Sequence, residues 1–168
     1  LDIRTEWYRD YNFYDELYKN TKNPVILCEG AQGFGLDIDW GDYPFVTSSH
    51  CTVGSAILNG IPPRAIRDVW GVAKAYETYV GAKQFEIDNP IFVKIRELGQ
   101  EFGATTGRPR QCGWLEVPFL EKSVKINGVN KVVLNKMDIL EKIDRWIIKH
   151  KENSFEIFDD RNKFEEYF

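Results

Sequence analysis

Three loops hold the residues best suited to binding and chemistry, and each follows an apolar run or lies between elements where main-chain amides are free. In EGAQGFGLDIDWGDYPFVTSS, Glu29–Ser49, the glycines let the backbone approach a ligand, and the Gln32 amide can both donate and accept hydrogen bonds. Thr47 and Ser48 offer hydroxyls that suit a phosphate. Taken alone, the string also reads as a glycine-rich turn with capping hydroxyls. In GATTGRPR, Gly103–Arg110, two guanidiniums two residues apart flank a rigid proline. Arg108 and Arg110 can present planar forks to a small dicarboxylate while Thr105 and Thr106 add neutral hydrogen bonds. A solvated basic turn is the alternative, and the TTG flank favours binding. The third loop is NKMD, Asn135–Asp138, directly after Val132–Leu134. There the Asp138 carboxylate can accept the paired N–H donors on the edge of guanine, with the Lys136 methylene stem over the ring. Adenine lacks that donor pair. Asp138 can equally cap the helix that follows.

These loops need elements to hold them. Trp7, Tyr11, Tyr14 and Tyr18 recur at helical spacing, and Val25–Cys28 reads as a strand feeding the first loop. Thr47, Ser48 and Ser49 are placed to cap a short helix ending near Asn59 and Gly60, before Pro62 and Pro63 break the chain. Asp68–Val80 reads as strand, and Pro90 opens a helix with Ile91, Ile95 and Leu98 on one side. Val117–Asn127 is a helix closed by Gly128, Lys131–Leu134 a buried strand, Ile139–His150 a helix with apolar Leu140, Ile143 and Ile147, and Phe155–Phe158 a last strand. Strands alternating with helices predict an α/β domain over residues 1–168, with a mostly parallel sheet, flanking helices and ligands at the carboxyl ends of strands.

Composition narrows the function classes. With 168 residues, 43% of them hydrophobic, the chain can bury one core. A net charge of -4 with scattered Lys and Arg excludes a phosphate-backbone binder, so no nucleic-acid partner is expected. Cys28, Cys51 and Cys112 are far apart and form no CxxC pair, which fits neither a disulfide framework nor a zinc site and points to the reducing cytoplasm. No apolar run approaches the roughly 20 residues that span a bilayer, so no membrane partner is expected. No metal cluster stands out, His50 borders the capping serines, and His150 reads as an exposed helix end. No GxxxxGK[ST] loop is present. The chain starts at Leu1 without Met and stops at Phe168 within a helical pattern, and the expectation is a piece of a longer protein.

Taken in order, EGAQG, LDID, YPFVTSS, GVAKAY, EFGATTGRPR, CGWL, INGV and NKMDIL resemble the adenylosuccinate synthetase family over about residues 25–140. The resemblance implies a larger P-loop-like ligase fold of which this chain is the C-terminal part. It implies a two-step reaction in purine biosynthesis: a nucleoside triphosphate phosphorylates the purine six-oxo oxygen, then the amine of L-aspartate displaces that phosphate. By match to the family's motifs, Gln32 is catalytic and lies near the reacting six-position. Thr47, Val80 and Gly81 join it around the nucleotide, Thr105, Thr106, Arg108 and Arg110 hold aspartate, and Lys136 and Asp138 hold GTP. GTP is the implied co-substrate, with ATP the alternative; magnesium is expected on ligands outside this chain, and a homodimer is implied. The family's phosphate loop, catalytic Asp and catalytic His also lie outside it, so the piece is expected to be inactive alone. Two departures affect the nucleotide side: Tyr79 replaces the usual Arg, and Lys83-Gln84-Phe85-Glu86 replaces the usual GPFPTEL. With the tail after Asp138, these resemble a viral branch that aminates deoxyguanylate. Inosinate and deoxyguanylate therefore both stay open as substrates, beside a non-catalytic guanine-nucleotide-binding module that kept NKMD.

Overall fold

The computed structural model describes residues 24–168, together with Lys19 and Lys22, so the aromatic series Trp7 to Tyr18 lies outside the described residues. The elements are α1 (Gly54–Leu58), β1 (Trp70–Lys74), β2 (Tyr76–Tyr79), α2 (Pro90–Gly99), β3 (Gln111–Glu116), α3 (Val117–Asn127), β4 (Lys131–Asn135), α4 (Met137–Ile143), β5 (Trp146–Lys151), β6 (Ser154–Phe158) and α5 (Arg161–Glu166). Local chemistry sets several of these bounds. Asn89 accepts a hydrogen bond from the Ile91 amide at 3.0 Å with Pro90 in the first turn, and Gln100 closes α2 in the left-handed conformation. Gly128, at φ 60°, closes α3 as its sequence predicts.

The strands form two sheets. β1 and β4 pair in parallel, Lys74 opposite Asn135, while a second sheet has the order β2-β3-β5-β6. In that second sheet β3 and β5 are parallel, and β2 and β6 run antiparallel at its edges. The α/β class holds, and the sheets are one parallel and one mixed. The Asp68–Val80 segment is two strands, because the chain turns at Ala75 from one sheet into the other: the Ala75 amide donates to the Asn135 carbonyl at 2.9 Å, and its methyl is fully buried.

One core lies between the mixed sheet and its helices. Tyr76, Phe92, Ile95, Leu140, Ile148 and Phe164 are its large buried members, and α2 packs on β3 and α4. Each such side chain contributes about 1.5–3 kcal/mol by leaving water. Phe164 brings α5 into this core, stacking on Trp146 and Phe158 at 5.4 and 5.5 Å between ring centroids.

Four expectations are corrected. Val25–Cys28 is not a strand, since a strand needs a hydrogen-bonded neighbour and none lies among the described residues; Val25 and Leu27 are exposed. Lys131–Asn135 is a strand but not a buried one, for Val132 and Val133 face solvent. The helix starting at Met137 stops at Ile143, where Asp144 turns left-handed at φ 52°, and Trp146-Ile147-Ile148 joins a sheet. A 3.6-residue apolar repeat ran on into a β-branched segment, and pairing with β3 and β6 decided between the two periods. His150 consequently lies on β5 and bonds Glu156 at 2.8 Å. Finally, Thr47, Ser48 and Ser49 do not cap α1; its N-cap is Val53, which makes no side-chain cap bond and is held through its amide by Asn127 at 2.8 Å.

Candidate functional site

The first loop folds around a carboxylate. Asp37 is fully buried, and its oxygens accept the amide hydrogens of Asp39 at 2.9 Å, Trp40 at 3.0 Å and Cys51 at 2.6 Å. Burial pushes its pKa up, but those three amides and the nearby His50 pull harder, and the carboxyl ends below its ordinary range. Phe34 anchors the loop on Phe119 of α3 at 5.5 Å between ring centroids. Gly41 is required by close approach: a Cβ there would meet the Gly35 carbonyl oxygen at 2.5 Å and that of Asp37 at 2.6 Å. Thr47 is half-buried, and its amide donates to the Leu36 carbonyl at 2.8 Å, which brings the hydroxyl-bearing end back to the glycine-rich start. Gln32 is exposed at φ 59°, and its amide side chain has no partner among the described residues, so both its donor and its acceptor are open to a ligand.

One three-residue group of carboxylates and imidazole occurs among the described residues: Asp37, Asp39 and His50, with ligand atoms within 4.8 Å of one another. It does not fit a magnesium ion. The three amide donors already occupy the Asp37 oxygens, and the remaining pair, His50 Nδ1 to Asp39 at 3.4 Å, is exposed. The group clamps the loop.

Val80 and Gly81 follow β2, and Val80 is exposed. Tyr79 packs edge-on against Phe85 at 6.3 Å, its hydroxyl accepts the Lys83 amide at 3.4 Å, and it lies so close to Gly81 that a Cβ there would sit 2.1 Å from the hydroxyl oxygen. Tyr79 is thus a packing residue of the segment. Lys83 is not merely solvated: it forms an ion pair with Asp42 that ties this segment to the first loop. Gln111 fastens the segment from the other side, accepting the Phe85 amide at 2.8 Å and donating to the Lys83 carbonyl at 2.7 Å. Arg96 completes the attachment by bridging the Glu86 carboxylate and the Arg110 carbonyl, the latter at 2.6 Å.

GATTGRPR closes on itself. Gly103 donates to the Arg108 carbonyl and Gly107 to the Gly103 carbonyl, both at 2.8 Å, and Phe102 bridges Pro109. Thr105, Thr106 and Arg108 are exposed at its tip, and the Arg108 guanidinium has no partner among the described residues. Arg110 differs, because it donates to Glu101 at 3.0 Å. Glu101 is 2% exposed and also accepts Lys74 at 2.7 Å and the Tyr76 hydroxyl at 2.8 Å. Burial would raise its pKa; the Lys74 and Tyr76 hydrogen bonds and the two cations outweigh that and leave it low. Lys74 is itself shifted down, by burial first, although Glu101 draws it up. With three donors on it, the carboxylate is the group whose charge is fixed.

NKMD lies beside this cluster. Lys136 is left-handed at φ 63°, and its ammonium donates to the Gly99 carbonyl at 2.8 Å, which fixes the stem. Asp138 does not cap α4: the N-cap is Lys136, without a side-chain bond, and Asp138 stands exposed in the first turn. The structure therefore joins Lys136 to the arginine loop through Gly99 and Glu101, and Val80 and Gly81 to the first loop through Lys83 and Asp42. Sequence reasoning missed Glu101, Asp37 and Gln111. For Glu101 and Asp37 the only signal was a charged residue inside a quoted motif, EFGATTGRPR or LDID, with no role assigned, and Gln111 lies in no quoted motif.

No helix among the described residues is long and apolar enough to cross a membrane. The sequence profile of the adenylosuccinate synthetase family matches residues 8–153, beginning before Val25 and ending beyond Leu140. Curated relatives include the adenylosuccinate synthetases of Brugia malayi, 48% identical over 133 residues, and Salinibacter ruber, 51% identical over 122 residues. Those alignments cover 77% and 71% of this chain but only 30% and 28% of the relatives, so the chain spans about 30% of the length of the curated proteins it matches. A fully ligated adenylosuccinate synthetase from Plasmodium falciparum is similar with a TM-score of 0.75 at 36% identity, over 92% of this chain and 39% of that one. The succinoaminodeoxyadenylate synthetase of cyanophage S-2L, bound to dGMP and to dATP as an energy donor, matches at 0.51 and 26% identity, over 68% of this chain and 38% of that one. On the span of the profile match, the chain belongs to the adenylosuccinate synthetase family.

Proposed function

We propose that the protein carrying this chain joins L-aspartate to the six-position of inosinate with hydrolysis of GTP, giving adenylosuccinate, GDP and phosphate. The observation that carries this reading is the junction at Gly99 to Glu101, where Lys136 of the loop suited to guanine bonds the Gly99 carbonyl and Arg110 of the two-arginine loop bonds the Glu101 carboxylate. A switch-type guanine-nucleotide module has no use for the two-arginine loop. Residues 1–168 are read as part of one catalytic domain, in a cytoplasmic homodimer.

The roles follow from what each side chain leaves open. Gln32 directs its unpaired amide at the six-position, where charge develops on the oxygen as phosphate transfers and leaves. Thr47 binds the nucleotide's phosphate, and Val80 and Gly81 line its ribose. Arg108 and Arg110, with Thr105 and Thr106, bind the two aspartate carboxylates and orient the amine toward carbon six. Asp138 accepts the guanine donors over the fixed stem of Lys136. The magnesium expected for the triphosphate finds no fitting site among the described residues, and no step here is assigned to it.

Inosinate is favoured over deoxyguanylate by the Tyr79 geometry, since its ring packs within its own segment, and by relatives near 50% identity named as adenylosuccinate synthetases. In the longer enzyme, Arg108→Leu should raise the KM for aspartate by at least tenfold, for a lost charged contact costs about 2–5 kcal/mol. The KM values for inosinate and GTP should stay near wild type. An equal rise for all three substrates would count against the assignment, and a higher kcat/KM for deoxyguanylate than for inosinate would replace the substrate.

A further inference from the structure

We propose that Glu101 is a positioning residue for aspartate: it grips one edge of the Arg110 guanidinium and leaves the remaining N–H groups aimed for a substrate carboxylate. This rests on the reading of Arg108 and Arg110 as aspartate ligands.

The geometry is that of a built support. One Glu101 oxygen takes the Tyr76 hydroxyl at 2.8 Å, and the other takes both Lys74 at 2.7 Å and Arg110 at 3.0 Å. A carboxylate buried this deeply persists as an ion only because donors satisfy it on every side. Two cations sharing one oxygen would repel each other without it, so the Glu101 charge is what holds Arg110 in place. The backbone makes the same connection, with the Arg110 amide on the Glu101 carbonyl at 3.0 Å. Two cations against one carboxylate leave positive charge over, and Arg110 stays one-third exposed while Glu101 does not. Its attraction for an anion therefore survives the pairing.

The two arginines are consequently unequal. Arg108 has no partner among the described residues and must be ordered by substrate, whereas Arg110 is ordered beforehand, so its share of the ordering cost is met in folding. The support also reaches the guanine loop, because Lys74 pairs with Asn135 and Lys136 bonds Gly99, two residues before Glu101. All the members named lie among the described residues.

The test is steady-state kinetics on the longer enzyme with Glu101→Gln, which keeps the shape and removes the charge. The KM for aspartate should rise roughly tenfold to a hundredfold, the range expected when a binding group is misplaced by about 1 Å. The KM for inosinate and GTP, and kcat at saturating aspartate, should stay within about threefold of wild type on the same basis. Glu101→Asp, which keeps the charge, should recover part of the loss. Tyr76→Phe leaves the charge and removes one support; it should raise the aspartate KM by only about twofold to tenfold, as for one neutral hydrogen bond. If Glu101→Gln does not fold, Tyr76→Phe decides, and an unchanged aspartate KM in it overturns the proposal. Equal effects on all three substrates overturn it too, since a general structural role would produce them. If Arg108→Leu raises the aspartate KM and Glu101→Gln does not, this proposal alone fails; if neither does, the aspartate reading fails with it.

Discussion

Asp138→Asn separates base recognition from folding, because the carboxylate does little in the unliganded fold. It stands 63% exposed in the first turn of α4, and its one ion-pair neighbour among the described residues, Lys142, is 3.5 Å away and 56% exposed. Such an i,i+4 pair contributes about 0.3–0.5 kcal/mol. The loss of an acidic group from a helix's first turn costs about 0.3–1 kcal/mol more. Stability should therefore fall by about 1 kcal/mol, a Tm shift of no more than about 4 °C in the longer enzyme. Binding of GTP should suffer far more. Guanine presents two N–H donors, and Asn returns one acceptor and one donor, so one charge-assisted bond is lost and a buried edge is left mismatched. At about 1.5–3 kcal/mol for such a bond, and about 1.4 kcal/mol per tenfold, the KM for GTP should rise roughly tenfold to a hundredfold. The triphosphate of xanthine, with a carbonyl where guanine has its amino group, matches the new amide and should gain. The assay is the initial rate against GTP, ATP and xanthosine triphosphate at saturating inosinate and aspartate, with thermal melts of both proteins. A folded variant whose KM for GTP changes less than about threefold would refute the reasoning, since that leaves under 1 kcal/mol for the contact. So would a wild-type enzyme that prefers ATP.

Two further outcomes concern stability. The lowered pKa of Asp37 means that its contribution is fully present above the unfolded carboxylate value and is lost as pH falls through the lower folded value. Urea midpoints of wild type and Asp37→Asn should thus lie apart at neutral pH and converge as the pH falls below the ordinary carboxylate value; a constant gap across that fall would show that the Asp37 charge is not what the loop amides hold. Phe164→Ala, at a fully buried ring that also meets Phe168 at 5.4 Å, should destabilise the protein by about 3–5 kcal/mol. Chemical denaturation measures it, and a loss below about 1 kcal/mol would mean that α5 is not part of the cooperative core.

Much of the local architecture was legible because it is written in short-range chemistry. Pro90 opens α2, Gly128 closes α3, and NKMD lies between an expected strand and an expected helix, whereas β3, directly after GATTGRPR, was not expected. Periodicity failed where two periods overlap: the apolar run after Leu140 satisfies a helix until Asp144 turns left-handed and β5, from Trp146 on, pairs with β6 on one side and β3 on the other. It failed again at Val25–Cys28, since a strand is a relation between segments rather than a property of one.

For the site, the sequence alone determined which side chains are available: Gln32, Thr47, the threonines and arginines of the 103–110 loop, and Lys136 with Asp138. Only the tertiary structure decided which of these are free and which are held. Arg108 and Arg110 are the same residue type two positions apart, and nothing local distinguishes them. Glu101 does, because the turn at Ala75 brings Lys74 and Tyr76 onto a carboxylate that the backbone of Arg110 already touches. A charge buried at that point requires partners from beyond its own turn, here the distant pair Lys74 and Tyr76 besides Arg110, and long-range electrostatic satisfaction of this kind leaves no periodic trace in the chain.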